Sequence, residues 1–513
     1  MIQLQKQEHF EVINLFNKIE RELTKRQNTS LTENGAIGYK SSQSHLLDLN
    51  YQVSSLRNAD EYLIAELFRK AFREDPEYTL KWLFFARDIR EGLGERRLFR
   101  ICYSELLYLN ANLFFQNLKY ISEFGRWDDL ISLIGMNDEV DDKISEIVQI
   151  QIVKDLEGIK ENKRISLLGK WLPSENASSP KTKKLAKKVR KLLGLSSKNY
   201  RKVLSKLRKH LNIVERKMCS NQWDSIDYEK VPSLANLKYK DAFFVHDQKR
   251  RAEYLESVQK GYSKMNMNVA TPVDVISRYS YLHTVDDTLE LAWKNLKDID
   301  IKDTLVVADG SGSMLCNVGG RITALDVAMA LAIYTSEHNT APYRNKYITF
   351  SNSPQFVNLG KYTTLKDKMR EARQHCEVAN TNIEAVFDLI LEMAISTRAS
   401  QDEMIKSVLI ISDMEFDRAQ KSWRDDTTVL TQTLFEEIQE KYKRAGYKMP
   451  KLIFWNVNSR TKLIPIIENE LGVTLVSGFS QNVLKMVMSE NYNPLEILYE
   501  ILDQDRYKVI ETH

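Results

Sequence analysis

Cysteine is scarce: four in 513 residues, Cys102, Cys219, Cys316 and Cys376, all far apart. That excludes a disulfide scaffold, and the lack of any C-x-x-C pair excludes a zinc ribbon or a thioredoxin-type site. Such usage fits a reducing cytoplasm, the expected location. The N-terminus, MIQLQKQEHFEVINLFNKIERELTKRQN, has no apolar core of the signal-peptide kind. No uninterrupted apolar run is long enough to span a bilayer, so no membrane partner is expected. There is no G-K-[ST] phosphate loop, no H-E-x-x-H and no tight internal repeat. What is present is ample core-forming material, 43% hydrophobic and 10% aromatic, which excludes wholesale disorder. The length points to more than one domain.

Two textures divide the chain. Up to about residue 297, apolar residues recur at helical spacing. Leu63, Leu67, Lys70 and Ala71 begin one stretch, and Leu80, Leu83, Phe84, Ala86 and Arg87 form another. Past a turn at Gly92 and Gly94 comes a helix with Leu98, Ile101, Cys102 and Leu106; Leu113, Leu118 and Ile121 then lead to Gly125 and a new helix near Asp128. Glycine in a left-handed cap and aspartate as the next N-cap are expected at these corners, with Trp127 packed and Asp128 capping. Short turns imply antiparallel neighbours, hence an all-α array of stacked, HEAT-like helical pairs over 1–297. From 298 to 513 short apolar runs alternate with helices: Thr304–Ala308, Tyr347–Phe350, Val408–Ile411, Leu452–Trp455 and Val473–Val476 read as strands. Helices are expected near 322–338, 381–397, 430–445 and 480–489. This is an α/β, Rossmann-like pattern of parallel sheet covered on both faces. Ligands in such sheets bind at the carboxyl ends of the strands.

The first strand ends there in Asp309-Gly310-Ser311-Gly312-Ser313. A carboxylate and two hydroxyls at alternate positions converge if the loop curls, and the glycines allow it. Oxygen donors of this kind suit a hard cation such as Mg²⁺. Asp413 follows a later strand at the same edge, and Thr381 opens the helix with Ile383, Val386 and Phe387. A G-x-G-x-x-G reading fails at Leu315, and a G-x-S-x-G elbow fails at Asp309 and Ser313. D-x-S-x-S, a helix-opening Thr and a strand-ending Asp resemble the von Willebrand factor A domain over roughly 300–490. The resemblance implies a metal-ion-dependent adhesion site for Mg²⁺ or Mn²⁺. Ser311, Ser313 and Thr381 would touch the metal, Asp309 and Asp413 would act mostly through water, and a sixth position would await a partner's carboxylate.

The helical half carries Arg87-Asp88-Ile89, Gly94-Glu95-Arg96-Arg97-Leu98-Phe99-Arg100 and Gly125-Arg126-Trp127-Asp128-Asp129-Leu130. These resemble a largely uncharacterised family of bacterial, phage and plant proteins that place a helical region before an A-like domain. The same order occurs in the TROVE-containing Ro autoantigen family, whose helical ring binds small noncoding RNAs and loose RNA ends. That resemblance is architectural and transfers no individual residue.

Charge is uneven. Over Lys160–Lys217, nineteen Lys and Arg against three Glu give +16, leaving −12 for the rest of a chain whose net charge is +4. Leu185, Val189 and Leu192 make an apolar stripe opposite Lys184, Lys187, Lys188 and Lys191. Tyr200, Val203, Leu204, Leu207 and Leu211 do the same opposite Arg201, Lys202, Arg208 and Lys209. Two such helices dock by their stripes and show cations to water, a surface suited to phosphate backbones. The expected function is therefore an RNA-binding scaffold for noncoding or structured RNA. Its A-like domain would bind a protein partner's acidic residue through the metal. The alternative is an assembly module without nucleic acid. Hydrolysis is disfavoured because His338 and His375 lie on helices far in sequence from the metal loops, leaving no general base, so no enzyme is expected.

Overall fold

In the first half, helices begin where a short polar side chain accepts a first-turn amide. Asp60 takes Tyr62 N–H at 2.8 Å to open Glu61–Glu74, and Asp75 takes Tyr78 N–H at 3.0 Å to open Pro76–Arg87. Asn110 opens Ala111–Asn117, and Asn137 opens the long helix Asp138–Lys160 in the same way. A computed structural model supplies this architecture and describes residues 29–31, 37–39, 41–279, 284–297, 303–319, 322–340, 342–351, 353–375, 383–412, 432–457, 473–477 and 493–513. A two-stranded ribbon, β1 (Thr29–Leu31) with β2 (Ile37–Tyr39), precedes the helices. The expected helical stretches are found: Glu61–Glu74, Pro76–Arg87, Arg96–Leu109, then Ala111–Asn117 and Ile121–Phe124. Helices adjacent in sequence pack on one another, as Glu61–Glu74, Pro76–Arg87 and Arg96–Leu109 do.

Two corner expectations need correcting. Gly94 is left-handed, with φ of 75°, but Gly125 is not: its φ is −109°. Glycine is required at 125 by crowding, since a Cβ there would lie 2.6 Å from Asp129 Oδ2 and 2.9 Å from Arg87 Nε. Nor is Asp128 the cap of Trp127–Ile131. Asp129 Oδ2 accepts Arg126 N–H at 3.0 Å, one residue further into the turn. Trp127 is buried as expected.

The second half holds β3 (Thr304–Asp309), a ribbon of β4 (Asn317–Gly319) and β5 (Ile322–Thr323), then β6 (Lys346–Phe350), β7 (Phe356–Asn358), β8 (Ser407–Ser412), β9 (Lys451–Asn456) and β10 (Val473–Ser477). One sheet runs β10-β9-β8-β3-β6-β7, parallel except for β7, which lies antiparallel on β6. All five expected strands are present. So are helices Ala324–His338, Ile383–Thr397 and Gln432–Arg444, whereas 480–489 lies outside the described residues. β7 and helix Leu365–Gln374 were not anticipated.

Alternation along the strands divides the core. Val306, Ala308, Leu409, Ile411, Ile453 and Trp455 face helix Ala324–His338 and the helical half in one continuous cluster. Leu305, Val307, Ile348, Val408, Ile410, Leu452 and Phe454 face Ile383–Thr397 and Gln432–Arg444. Both faces being covered explains why these strands read as unbroken apolar runs. The chain then crosses back. Helix Pro494–Leu502 packs on Pro76–Arg87, and Tyr507 is fully buried with its ring 5.9 Å from Phe85 and 5.7 Å from Phe124. Among the described residues, no helix is long and apolar enough to cross a membrane.

Candidate functional site

From β3 the chain moves first to β6 on one side and then to β8 on the other, so the carboxyl ends of β3 and β8 flank the point where strand order reverses. Asp309 stands at that end of β3. Its register places it beside Ser412, because Ala308 pairs with Ile411. Asp309 is buried; Oδ1 accepts the Ser311 amide at 2.9 Å and Oδ2 accepts the Ser412 hydroxyl at 2.7 Å. The first bond curls the loop, and the hydroxyls of Ser311 and Ser313 come to 2.9 Å from each other. Ser311 and Ser313 remain partly exposed. Thr381 and Asp413, the other two expected ligands, lie outside the described residues. Ser412 was not singled out from sequence; its signal is a small hydroxyl residue ending the strand next to β3. The loop does not run straight into a helix. A 3-10 turn, Gly312–Leu315, and the β4–β5 ribbon intervene, and Thr323 and Asp326 then cap Ala324–His338 reciprocally.

The donor chemistry fits a hard divalent cation. A buried carboxylate beside two partly exposed hydroxyls is an all-oxygen donor set of the kind such a cation takes. Among the described residues there is no group of three or more His, Cys, Asp or Glu that could hold a metal ion.

The basic helices are Pro180–Leu192 and Ser197–His210. Ala186, Val189, Tyr200, Leu204 and Leu207 are buried, and Leu185, Leu192, Val203 and Leu211 are partly so. Lys184, Lys187, Lys191, Arg201, Lys202 and Lys209 are exposed. Two expected members sit differently. Lys188 Nζ pairs with Asp141 Oδ2 at 2.8 Å, tying this helix to Asp138–Lys160. Arg208 donates to the carbonyls of Gly169 (2.8 Å) and Leu172 (2.7 Å), and burial pulls its guanidinium below its ordinary value. It closes the C-terminal end of helix Leu168–Trp171, where the final carbonyls of a helix need partners from outside it.

The conspicuous arginines and aspartates of the first half form a third feature. Arg87 and Asp129, both fully buried, are joined through Nε (2.8 Å) and Nη2 (2.6 Å). Arg100 bridges Asp129 (2.8 Å) and Asp128 (2.9 Å), and Arg126 Nη2 reaches Asp128 at 3.2 Å. Arg126 also lies 4.2 Å over the Trp171 ring. Burial lowers the Arg126 pKa; Asp128 and Asp129 oppose that shift, while Arg96 and Arg87 add to it. Asp88 holds Arg506 in a two-pronged pair and accepts from Tyr507 at 3.2 Å. Burial foremost pushes the Tyr507 phenol well above its ordinary range, with Asp88 adding to it. Glu95 accepts from Arg57 Nε at 2.9 Å, and Arg57 Nη1 contacts Val318 O of β4 at 3.4 Å. Ser54 Oγ donates to Asn456 O at 2.9 Å at the end of β9.

Comparison with known proteins gives these findings. Residues 303–507 match a domain of unknown function, DUF7788. The crystal structure of the Deinococcus radiodurans RO (RSR) protein aligns over 84% of this chain and 92% of that one, at 15% identity and a TM-score of 0.34. Uncharacterized protein L728 of Acanthamoeba polyphaga mimivirus is 30% identical over 516 aligned residues, spanning 93% of this chain and 87% of that one. Residues 32–155 and 142–306 match the family described as a domain of unknown function, DUF2828, and the chain belongs to that family.

Proposed function

We propose that the protein is an RNA-binding scaffold. Noncoding or structured RNA lies on the cationic face of Pro180–Leu192 and Ser197–His210. The carrying observation is that these helices bury one face and leave the other charged and uncompensated. Among the described residues, Lys184, Lys187, Lys191, Lys202 and Lys209 have no carboxylate within ion-pair distance. A stretch of unneutralised cations held on a rigid surface draws phosphates by releasing their counterions. The helical half is read as a TROVE-like, HEAT-like array. The sheet half is read as a von Willebrand A-like domain, supported by the strand order and by the loop that follows β3.

In the same proposal, Mg²⁺ or Mn²⁺ sits at the curled loop. Ser311 and Ser313 would hold it with Thr381, while Asp309 and Asp413 would fix waters around it. A metal held there would supply the charge that draws a carboxylate of a protein partner to this loop. Ser412 holds Asp309 in orientation, and Asp309 holds the loop. We read the protein as non-catalytic: His338 is engaged with the Tyr334 carbonyl at 2.7 Å and His375 with Glu371 at 3.4 Å, each on its own helix. The convergent hydroxyls favour one second reading, a metal-dependent protein-assembly module without nucleic acid.

One experiment separates the readings, and a second tests the metal site they share. Purified protein whose absorbance at 260 nm falls on ribonuclease treatment carries RNA; protein without a nuclease-sensitive component leaves the assembly reading. Isothermal titration of Mg²⁺ should show binding that Asp309→Ala and Ser311→Ala weaken with helix content intact. No heat for the native protein, or equal heat for Asp309→Ala, contradicts the metal site.

A further inference from the structure

The positive surface does not end with the lysine helices. Helix Leu168–Trp171 touches both Trp127–Ile131 and Ser197–His210. Arg208 grips its carbonyls from one side, and Arg126 lies on its Trp171 from the other. Beyond Trp171 stand Arg96, Arg100 and Arg126, all directed at the single carboxylate of Asp128. Oδ2 is 2.9 Å from Arg100 Nη2, 3.2 Å from Arg126 Nη2 and 3.6 Å from Arg96 Nη1. With Arg87 and Asp129 included, four guanidiniums share two carboxylates, so two positive charges stay uncompensated. Arg126 Nε lies 3.0 Å from Asp128 Oδ1 but off the hydrogen-bond direction, and both atoms are buried without a hydrogen bond. Water reaches this trio: Arg96 is 51% exposed, Arg100 30% and Arg126 26%.

The fold itself gains little from Arg96. It is the first residue of helix Arg96–Leu109, followed by Arg97, and the first turn contains no acidic residue. Cations there oppose the helix dipole, where Asp or Glu would stabilise. A cation placed against local preference, half exposed and 3.6 Å from its carboxylate, is better explained by an external anion than by packing. Guanidiniums splayed around one point match the oxygens of a phosphate, to which arginine binds in two-pronged fashion.

We propose that Arg96, Arg100 and Arg126 form a phosphate-binding cluster that continues the RNA surface of the lysine helices past Trp171. Asp128 is a positioning residue that spreads the three guanidiniums. This inference rests on the RNA reading and assigns a second contact region to it, on different helices.

The test compares native protein, Arg96→Gln, and Arg73→Gln, an exposed arginine at the end of Glu61–Glu74, as the control. The probes are a fluorescein-labelled single-stranded RNA and inorganic tripolyphosphate, with helix content and Tm recorded for each protein. Arg96→Gln should keep or slightly raise Tm, weaken RNA binding about tenfold at low salt and flatten the salt slope by about 0.7. It should weaken tripolyphosphate binding too, and Arg73→Gln should change neither. RNA binding unchanged in Arg96→Gln but lost on reversal of Lys184, Lys187, Lys188 and Lys191 overturns the arginine cluster and leaves the RNA reading standing. Native protein that binds no RNA overturns that reading instead. Tripolyphosphate then decides the cluster alone: heat lost in Arg96→Gln supports it, and absent or equal heat overturns it.

Discussion

The two cation-rich regions of the helical half use their charge in opposite ways. In the first, Arg87 is directed inward at Asp129, Arg100 and Arg126 line the water-exposed edge of the same network, and Arg506 reaches Asp88 from the far end of the chain. In the second, Lys188 pairs with Asp141, while Lys184, Lys187, Lys191, Lys202 and Lys209 point outward with no carboxylate within ion-pair distance among the described residues. Residue type follows the role. Guanidinium, planar and weakly hydrated, suits buried two-pronged pairs, whereas strongly hydrated ammonium groups on flexible stems suit a surface that meets phosphates without fixed geometry. The buried pairs Arg87–Asp129 and Arg506–Asp88 fix the fold, and the lysine face leaves a potential for a partner to neutralise.

The comparison can be broken first where charge is most buried. Asp129→Ala strands Arg87 in the core, removes the Arg100 bridge and frees the Arg126 amide. Chemical denaturation should show a loss of about 3–5 kcal/mol. A loss below about 1 kcal/mol would mean the network is ornamental to the fold. Next comes the tail. Asp88→Ala removes the partner of Arg506 and Tyr507 at the seam that returns residues 493–513 to the first half. Hydrogen bonds to a charged group contribute about 1.5–3 kcal/mol. The variant should lose about that much and expose the tail to proteolysis earlier than the rest of the chain; a tail as protected as in the native protein contradicts the seam.

Much of this was legible in the sequence. Thr304–Ala308, Val408–Ile411 and Leu452–Trp455 are buried on both faces, so apolar content alone marks them as strands. The Asp309–Ser313 loop follows from the spacing of oxygen donors. β7 has three residues, and helix Leu365–Gln374 is largely polar, so neither leaves a strong hydrophobic signature. Ser412 meets Asp309 only because register sets it there, and register is not written in either segment. Arg208 shares a helix face with free cations, yet a neighbouring helix end captures it. Gly125 invites a left-handed reading, but the cause is the approach of Asp129 and Arg87. Nothing local marks Asp88 and Arg506 as partners, because the chain between them passes through the whole sheet.

A smaller effect sharpens the loop's role. Ser412→Ala removes one hydrogen bond to Asp309, so stability should fall by about 1–2 kcal/mol. If Asp309 must be held to organise a metal site, Mg²⁺ affinity should fall about tenfold or more by titration, as losses of outer partners do. Unchanged affinity would separate Ser412 from the site.

The smallest effect on stability belongs to the lysine face. Changing Lys184, Lys187, Lys188 and Lys191 together to Glu alters residues opposite the buried Val189, and only Lys188 has a pair to lose. Reversing Lys184, Lys187 and Lys191 together should leave stability within about 1 kcal/mol of the native protein, and the added loss from the four-residue variant comes from Lys188→Glu facing the buried Asp141.

That same variant supplies the most direct test of the scaffold reading: filter binding to structured RNA, single-stranded RNA and duplex DNA across a salt series, native protein against the four-lysine reversal. For native protein on single strands, log K should fall linearly with log salt at about 0.7 per phosphate contact, and the reversal should weaken binding and flatten that slope. Native protein that binds none of the three at low salt, or a reversal that binds with the native slope and affinity, would contradict it.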